Sequence, residues 1–115
     1  YDSPDGFAKV RAAMSSYFEL TPFSFDLPVE SRGEITCRGE NKATGMQHYL
    51  DTLGLQPKDA IAFGDGPNDF DMIRYAGTSV VMGNGKEELK KEASFVTDSV
   101  EEDGIFNAMK KLQLI

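Results

Sequence analysis

The sequence contains no tryptophan, a single cysteine and no long apolar run. A helix that spans a bilayer needs about 20 consecutive apolar residues, and no segment approaches that length or looks like a signal peptide, so we expect a cytoplasmic protein. Cys37 cannot form an internal disulfide. Its place in a β-like run, residues 34–38, favours a small buried or edge residue over a nucleophile.

Basic residues are also few, because 12 Lys and Arg against 19 Asp and Glu give a net charge of −7. Phosphate backbones and anionic lipids require basic patches, and no long basic run is present. We therefore expect no nucleic-acid or membrane partner. With 115 residues, 40% apolar and 27% charged, the chain has the composition of one small globular domain.

The most informative stretch is an acidic loop, residues 64–71, between a short apolar run at residues 60–63 and a helical pattern that resumes at Met72. The loop carries four polar side chains and no Lys or Arg: Asp65, Asn68, Asp69 and Asp71. Clustered carboxylates repel one another unless a proton or a hard cation lies between them. The pattern therefore predicts a Mg²⁺-type site. The alternative is ordinary turn chemistry, in which Asp69 caps the following helix.

Two further ligand hypotheses are weak. An EF-hand Ca²⁺ loop does not match the spacing of these aspartates, and its position twelve would be Ala76 rather than Glu. His48, next to Tyr49 on a predicted helix, is expected on the surface of that helix rather than at a site.

The first 38 residues predict a helix followed by two strands. Residues 1–18 place apolar side chains at helical spacing, at Phe7, Val10, Met14 and Phe18. Two β-like runs follow at residues 21–29 and 33–38, and a turn at residues 30–33 joins them into an expected hairpin. In the first run Phe23, Phe25 and Leu27 alternate with other residues. Phe23 and Phe25 are expected to be sheet core rather than a platform for substrate.

From Gly39 onward, predicted helices alternate with predicted strands. Lys42 precedes a helix that ends at Gly54. Strands are predicted at residues 60–63, 78–82 and 94–97, and helices at residues 69–76, 86–92 and from about residue 101. This order predicts a parallel sheet with helices on its faces. Three short strands are few for such a sheet, so we expect part of the domain to be missing.

Three chemical features follow one another in this alternation: Lys42, the acidic loop, and a Gly83-Asn84-Gly85 turn. If the strands are neighbours, the loops at their carboxyl ends face one pocket that contains an ammonium, several carboxylates and free backbone N–H groups. Such a pocket suits a phosphate group and its Mg²⁺.

Four segments resemble the carboxyl-terminal half of the haloacid dehalogenase (HAD) superfamily, in its Cof-type sugar-phosphatase branch: residues 41–42, 64–69 with Met72, 81–84, and 96–98 with 102–104. The resemblance covers about residues 34–112. It implies an α/β fold, in which residues 39–115 form part of a HAD-like Rossmannoid parallel sheet with flanking helices. Residues 1–38 would be an α+β remnant of the cap domain, its carboxyl-terminal helix-strand-strand part.

The resemblance also implies a Mg²⁺-dependent phosphomonoester hydrolase that acts on a phosphorylated small molecule, with sugar phosphates the leading class. Lys42 would be the catalytic lysine that stabilises the nucleophile and the phosphoryl oxygens, and Asp65 the direct Mg²⁺ ligand. Asp69 would accept a hydrogen bond from metal-bound water, and Asn68 would contact the phosphate or a ligand of the metal. Asp71 matches no family role and is best explained as a charge on the first helical turn.

Two departures from the family pattern matter. Ala43 stands where the family usually has Gly after the lysine, a change that should leave the ammonium in place. The family's Asp-x-Asp nucleophile element is also lacking, because the one such triplet, residues 69–71, lies inside the acidic loop. Without a covalent nucleophile we expect the isolated chain to be inactive and to need a missing amino-terminal half.

A different class of function stays open: a non-catalytic domain that binds phosphometabolites or serves assembly. Such a domain predicts a monodisperse folded species that binds phosphorylated ligands without hydrolysis. A fragment instead predicts an unpaired sheet edge, and with it aggregation, strand exchange or dependence on the other half of the protein.

Overall fold

A computed structural model describes residues 4–22 and 33–115, and the chain divides into two compact units, Tyr1–Glu40 and Asn41–Ile115. The first unit contains α1 (Pro4–Met14), β1 (Phe18–Pro22) and β2 (Gly33–Cys37). The predicted alternation of Phe23, Phe25 and Leu27, and the predicted turn before Gly33, lie outside the described residues.

In the first unit, β1 and β2 pair antiparallel, which confirms the predicted helix and strand pair. Phe18 was predicted on the helix, but α1 ends at Met14 and Phe18 begins β1, opposite Cys37. Aromatic side chains favour strands, and alternation places Phe18 on the same face as Leu20, which is buried. Cys37 is an exposed residue of β2.

The second unit alternates helices and strands, in the order α2 (Lys42–Leu53), β3 (Ile61–Gly64), α3 (Phe70–Tyr75), β4 (Thr78–Val81), α4 (Glu87–Lys90), β5 (Phe95–Val96) and α5 (Gly104–Lys111). The three strands form a parallel sheet in the order β3-β4-β5. The predicted α/β fold with a parallel sheet is confirmed. Helices α3 and α5 start later than predicted, because short 3₁₀ turns at Pro67–Asp69 and Val100–Glu102 precede them.

The core of the second unit is built on β4, the central strand. Val80 and Val81 are fully buried, and Val81 belongs to an apolar cluster with Ala62, Ile73 and Leu89. These residues come from strands and from helices α3 and α4, as expected for a parallel sheet covered by helices. Across residues 4–22 and 33–115, each helix is too short or too polar to cross a membrane.

The register of the sheet aligns the ends of its strands. Gly64 at the end of β3 pairs with Val81 at the end of β4, and Val81 pairs with Val96 of β5. The loops that follow these strands therefore leave the sheet at one edge, which is where ligands bind in open α/β sheets.

Candidate functional site

Helix α2 places Lys42 at its first position because Asn41 caps the helix. The Asn41 side-chain oxygen accepts hydrogen bonds from the backbone N–H groups of Ala43 and Thr44, both at 2.9 Å. In return, the Asn41 N–H donates to the Thr44 hydroxyl at 2.8 Å, which completes a capping box. The other end of α2 is closed by Gly54 at φ 66°, as the sequence predicts. Lys42 therefore starts from a fixed backbone position.

The carboxylate of Asp69 is the centre of the site, and Asp69 is 4% exposed. Its Oδ1 accepts a hydrogen bond from Lys42 Nζ at 2.5 Å. Its Oδ2 accepts from the backbone N–H groups of Asp65 at 2.9 Å and Gly66 at 3.0 Å. Although Asp69 occupies the position before α3, its side chain makes no capping bond to that helix. The alternative with Asp69 as the cap of α3 is therefore wrong, but turn chemistry of another kind is present, because its carboxylate accepts from the N–H of Gly66 at the start of the 3₁₀ turn Pro67–Asp69.

The surroundings of Asp69 keep its carboxylate ionised. Burial by itself would raise the pKa of Asp69. The hydrogen bonds from Lys42 and from the N–H groups of Gly66 and Asp65 together outweigh burial, so the pKa of Asp69 lies below its usual value. The side chain of Lys42 is 48% exposed, so its ammonium faces solvent as well as Asp69. Three N–H donors belong to each ammonium, and Asp69 occupies only one of them.

Stability should depend on pH through Asp69. A carboxyl group whose folded pKa is lowered contributes stability above its unfolded pKa, here 3.8, and that contribution is lost as the pH falls through the lower folded value. We expect the free energy of unfolding, measured in urea between about pH 6 and about pH 2, to fall less in Asp69→Asn than in the wild-type chain. Equal slopes in both proteins would show that Asp69 is not the group responsible.

The turn after β4 lies against the acidic loop. The backbone N–H of Lys86 donates to the carbonyl of Asp65 at 3.1 Å. A Cβ atom at Gly85 would lie 2.9 Å from the Met82 carbonyl and 3.3 Å from the Asp65 Cα, so only glycine fits there without a shift. The structure thus brings together the three features that the sequence singled out: Lys42, the acidic loop and the Gly83-Asn84-Gly85 turn.

The free backbone N–H groups expected in that turn are not free. The N–H of Gly83 donates to the Asp98 carbonyl at 3.0 Å, and that of Gly85 donates to the Met82 carbonyl at 2.8 Å. The side-chain oxygen of Asn84 accepts from the N–H of Val100 at 2.9 Å. The expectation was wrong for these groups because the turn closes on itself and on the segment before α5, so it shapes the site without offering these donors to a ligand.

The remaining predicted residues lie on the surface. Asn68 is exposed in the 3₁₀ turn before α3, and His48 is exposed on α2, as predicted. Asp71 is exposed on the first turn of α3, and its Oδ2 accepts a hydrogen bond from Asn41 Nδ2 at 2.9 Å. No sequence pattern indicates this Asn41–Asp71 pair, because the two residues are 30 positions apart.

The oxygens available to a divalent metal are limited. Within the described parts of the chain, no group of three or more His, Cys, Asp or Glu side chains could hold a metal ion. Both oxygens of Asp69 already accept hydrogen bonds, whereas Asp65 is exposed at the sheet edge. A hard cation at this edge would therefore have the exposed carboxylate of Asp65 available to it, whereas the oxygens of Asp69 are already engaged.

The fold and this edge geometry define an α/β domain that brings a lysine and carboxylates together at the carboxyl ends of parallel strands. The profile of the haloacid dehalogenase-like hydrolases matches residues 3–109. The chain therefore belongs to this family, and the superfamily predicted from its motifs is confirmed.

Two relatives show the range of the similarity. An uncharacterized protein of Geobacillus stearothermophilus is 48% identical over 82 residues, which are 71% of this chain and 86% of that protein. The 5-amino-6-(5-phospho-D-ribitylamino)uracil phosphatase YitU of Bacillus subtilis is 42% identical over 78 residues, which are 68% of this chain and 29% of YitU.

Among solved structures, the HAD subclass IIB sugar phosphatase BT4131 matches with a TM-score of 0.77 at 29% identity. The match covers 100% of this chain and 42% of BT4131. This neighbour supports the Cof-type branch that the motifs indicate. The chain spans less than half the length of YitU and of BT4131. Phosphatases of this family generally use a divalent metal.

Proposed function

We propose that this chain supplies one side of the active site of a Mg²⁺-dependent phosphomonoester hydrolase. The observation that carries the proposal is the Lys42–Asp69 contact at the carboxyl edge of the sheet, with the exposed Asp65 in the same loop. The positive lysine is complementary to the negative phosphate ester, and the negative carboxylate is complementary to the positive metal ion. Membership of a phosphatase-rich family supports the same conclusion.

Lys42 is the group that would contact the substrate phosphate. Its ammonium uses one N–H on Asp69 and has two more that can point at phosphoryl oxygens. Because Asp69 is buried and also held by two backbone N–H groups, it fixes the direction of the Lys42 side chain. An ammonium that is oriented before the substrate arrives costs less to arrange during the reaction. Asn68, exposed in the same loop, would contact the phosphate or a ligand of the metal.

Asp65 is the residue of this chain that would hold Mg²⁺ directly. A Mg²⁺ ion held there would supply positive charge that offsets the negative charge of the phosphoryl oxygens. Mg²⁺ usually takes one or two carboxylates together with phosphate oxygens and waters, so Asp65 alone makes a weak site. We propose that a segment with the family's Asp-x-Asp element completes it, and that the isolated chain does not turn over substrate.

The proposal extends to domains and substrate. Residues 1–38 would be the carboxyl-terminal part of a cap domain, and residues 39–115 the carboxyl-terminal half of a HAD-like core, with the compact units dividing close to that boundary, after Glu40. The substrate would be a phosphorylated small molecule. Sugar phosphates are the leading class, because BT4131 is named as a sugar phosphatase and YitU is named for a ribityl phosphate ester.

The test compares the isolated chain with a chimaera in which this chain replaces the matching segment of YitU. With Mg²⁺ and p-nitrophenyl phosphate, we expect no turnover by the isolated chain and turnover by the chimaera, because only the chimaera has a complete set of carboxylates. Asp65→Asn in the chimaera should abolish the Mg²⁺-dependent rate. Circular dichroism melting of each variant controls for folding.

Two results would contradict the proposal. Robust turnover by the isolated chain that is lost with Asp65→Asn would show that no further segment is needed. A folded chimaera that binds phosphate esters in calorimetry but never hydrolyses them would favour the alternative, a phosphometabolite-binding or assembly domain. Size-exclusion chromatography adds a second comparison, since that alternative predicts a monodisperse isolated chain whereas a fragment predicts self-association through an open sheet edge.

A further inference from the structure

Asp71, which matches no family motif, is one end of a link between two helices. Its Oδ2 accepts a hydrogen bond at 2.9 Å from Nδ2 of Asn41, the residue directly before Lys42. We propose that Asn41 and Asp71 are positioning residues, which hold the start of α2 against the acidic loop so that Lys42 stays on Asp69. The role of Lys42 in this inference rests on the proposed function, whereas the link itself does not.

Both polar atoms of the Asn41 side-chain amide make hydrogen bonds. Its oxygen caps α2 through the N–H groups of Ala43 and Thr44, and its nitrogen donates to Asp71. Asn, Asp and Ser are about equally good caps, so capping alone does not require an amide at this position. The amide of Asn41 carries the cap acceptor and the donor to Asp71 on two separate atoms, so one side chain makes both contacts at once.

Two neighbouring hydrogen-bonded pairs therefore join the start of α2 to residues 69–71. Asn41 binds Asp71, and Lys42 binds Asp69. A lysine side chain has many rotamers and loses considerable entropy when it is held in one geometry, and Lys42 is about half exposed. A second link at the preceding residue fixes the backbone from which this side chain starts, so it increases the time that Lys42 spends on Asp69.

A competing explanation gives Asp71 a purely local role. A negative charge on the first turn of a helix is favourable on its own, and the Asp71 charge contributes to raising the pKa of Arg74 on the same helix, after the larger effects of Glu92. A reciprocal exchange separates the two explanations. Asn41→Asp with Asp71→Asn removes the charge from α3 but restores the hydrogen bond, with its direction reversed.

The experiment measures how fast an acylating reagent modifies Lys42 in this chain, relative to Lys58, which is exposed in the turn before β3. Asp71→Ala removes the link, and Asn41→Asp keeps the cap but places two carboxylates face to face. We expect the relative rate at Lys42 to rise about threefold in each. Asp71→Asn, which keeps an acceptor, and the reciprocal exchange should both stay within about 1.5-fold of the wild type.

Turnover in the YitU chimaera provides the second readout. Asp71→Ala should lower kcat about threefold with little change in KM, and the reciprocal exchange should restore it. Failure of the exchange to restore either readout in a folded protein would overturn the inference, as would an unchanged acylation rate in Asp71→Ala. An unchanged kcat would overturn the positioning role. A chimaera with no activity at all would instead contradict the proposed function, because the acylation measurement needs no turnover.

Discussion

Replacing Lys42 with methionine in the YitU chimaera is expected to lower kcat/KM by about a hundredfold to a thousandfold, the usual cost of removing one preorganised donor at developing charge. Methionine keeps the apolar stem and removes the ammonium that Asp69 orients toward the sheet edge. If Lys42 stabilises mainly the transition state, the loss falls on kcat, and if it binds the phosphate equally in the ground state, the loss falls on KM. Steady-state kinetics with p-nitrophenyl phosphate distinguish these cases.

The matched control is Lys58→Met, since Lys58 is also exposed but precedes β3 and so belongs to the opposite ends of the strands. It should change kcat/KM by less than about twofold. Lys42→Met also leaves the buried carboxylate of Asp69 without its cation, which destabilises the fold, so rates must be measured well below the midpoint of unfolding. Retention of more than about a third of the wild-type kcat/KM would remove Lys42 from the proposed active site.

The parts of the fold and site that were predictable depend on chain order. Alternating helices and strands imply a parallel sheet, and loops after neighbouring parallel strands meet at one edge. Lys42, Asp65 and the turn at Gly83 could therefore be placed together without knowledge of any side-chain direction. The stop of α2 at Gly54 was equally accessible, because a left-handed residue at a helix end strongly favours glycine.

What could not be predicted depends on where individual groups point. Spacing shows that Asp69 precedes a helix, but not that its carboxylate turns back to the N–H groups of Asp65 and Gly66 instead of capping that helix. Spacing likewise cannot show that the N–H of Gly83 is taken by the Asp98 carbonyl. The Asn41–Asp71 pair joins residues far apart in sequence, so only the packing of α2 beside α3 reveals it.

The direction of the Asp69 side chain leads to the prediction with the largest expected effect on stability, Gly64→Ala. Gly64 ends β3, and a Cβ atom there would lie 2.8 Å from Asp69 Cβ and 3.0 Å from its Cγ and Oδ2. Because Asp69 is buried and held by Lys42 and two N–H groups, it cannot give way without losing hydrogen bonds. We expect a destabilisation of about 2 kcal/mol, measured by urea unfolding followed at the amide NMR signal of Val81.

Gly45→Ala is the matched control for Gly64→Ala. A Cβ atom at Gly45 meets nothing within 4 Å, and alanine in the interior of a helix is favoured over glycine by about 1 kcal/mol, so this variant should be more stable than the wild type. If the clash with Asp69 is the cause, Gly64→Ala should cost much less in an Asp69→Gly background, where no side chain remains to collide. Additive effects of Gly64→Ala and Asp69→Gly would contradict this explanation, because residues that share a contact are expected to couple. Loss of coupling would also mean that Gly64 is required by the strand end itself and not by the carboxylate that orients Lys42.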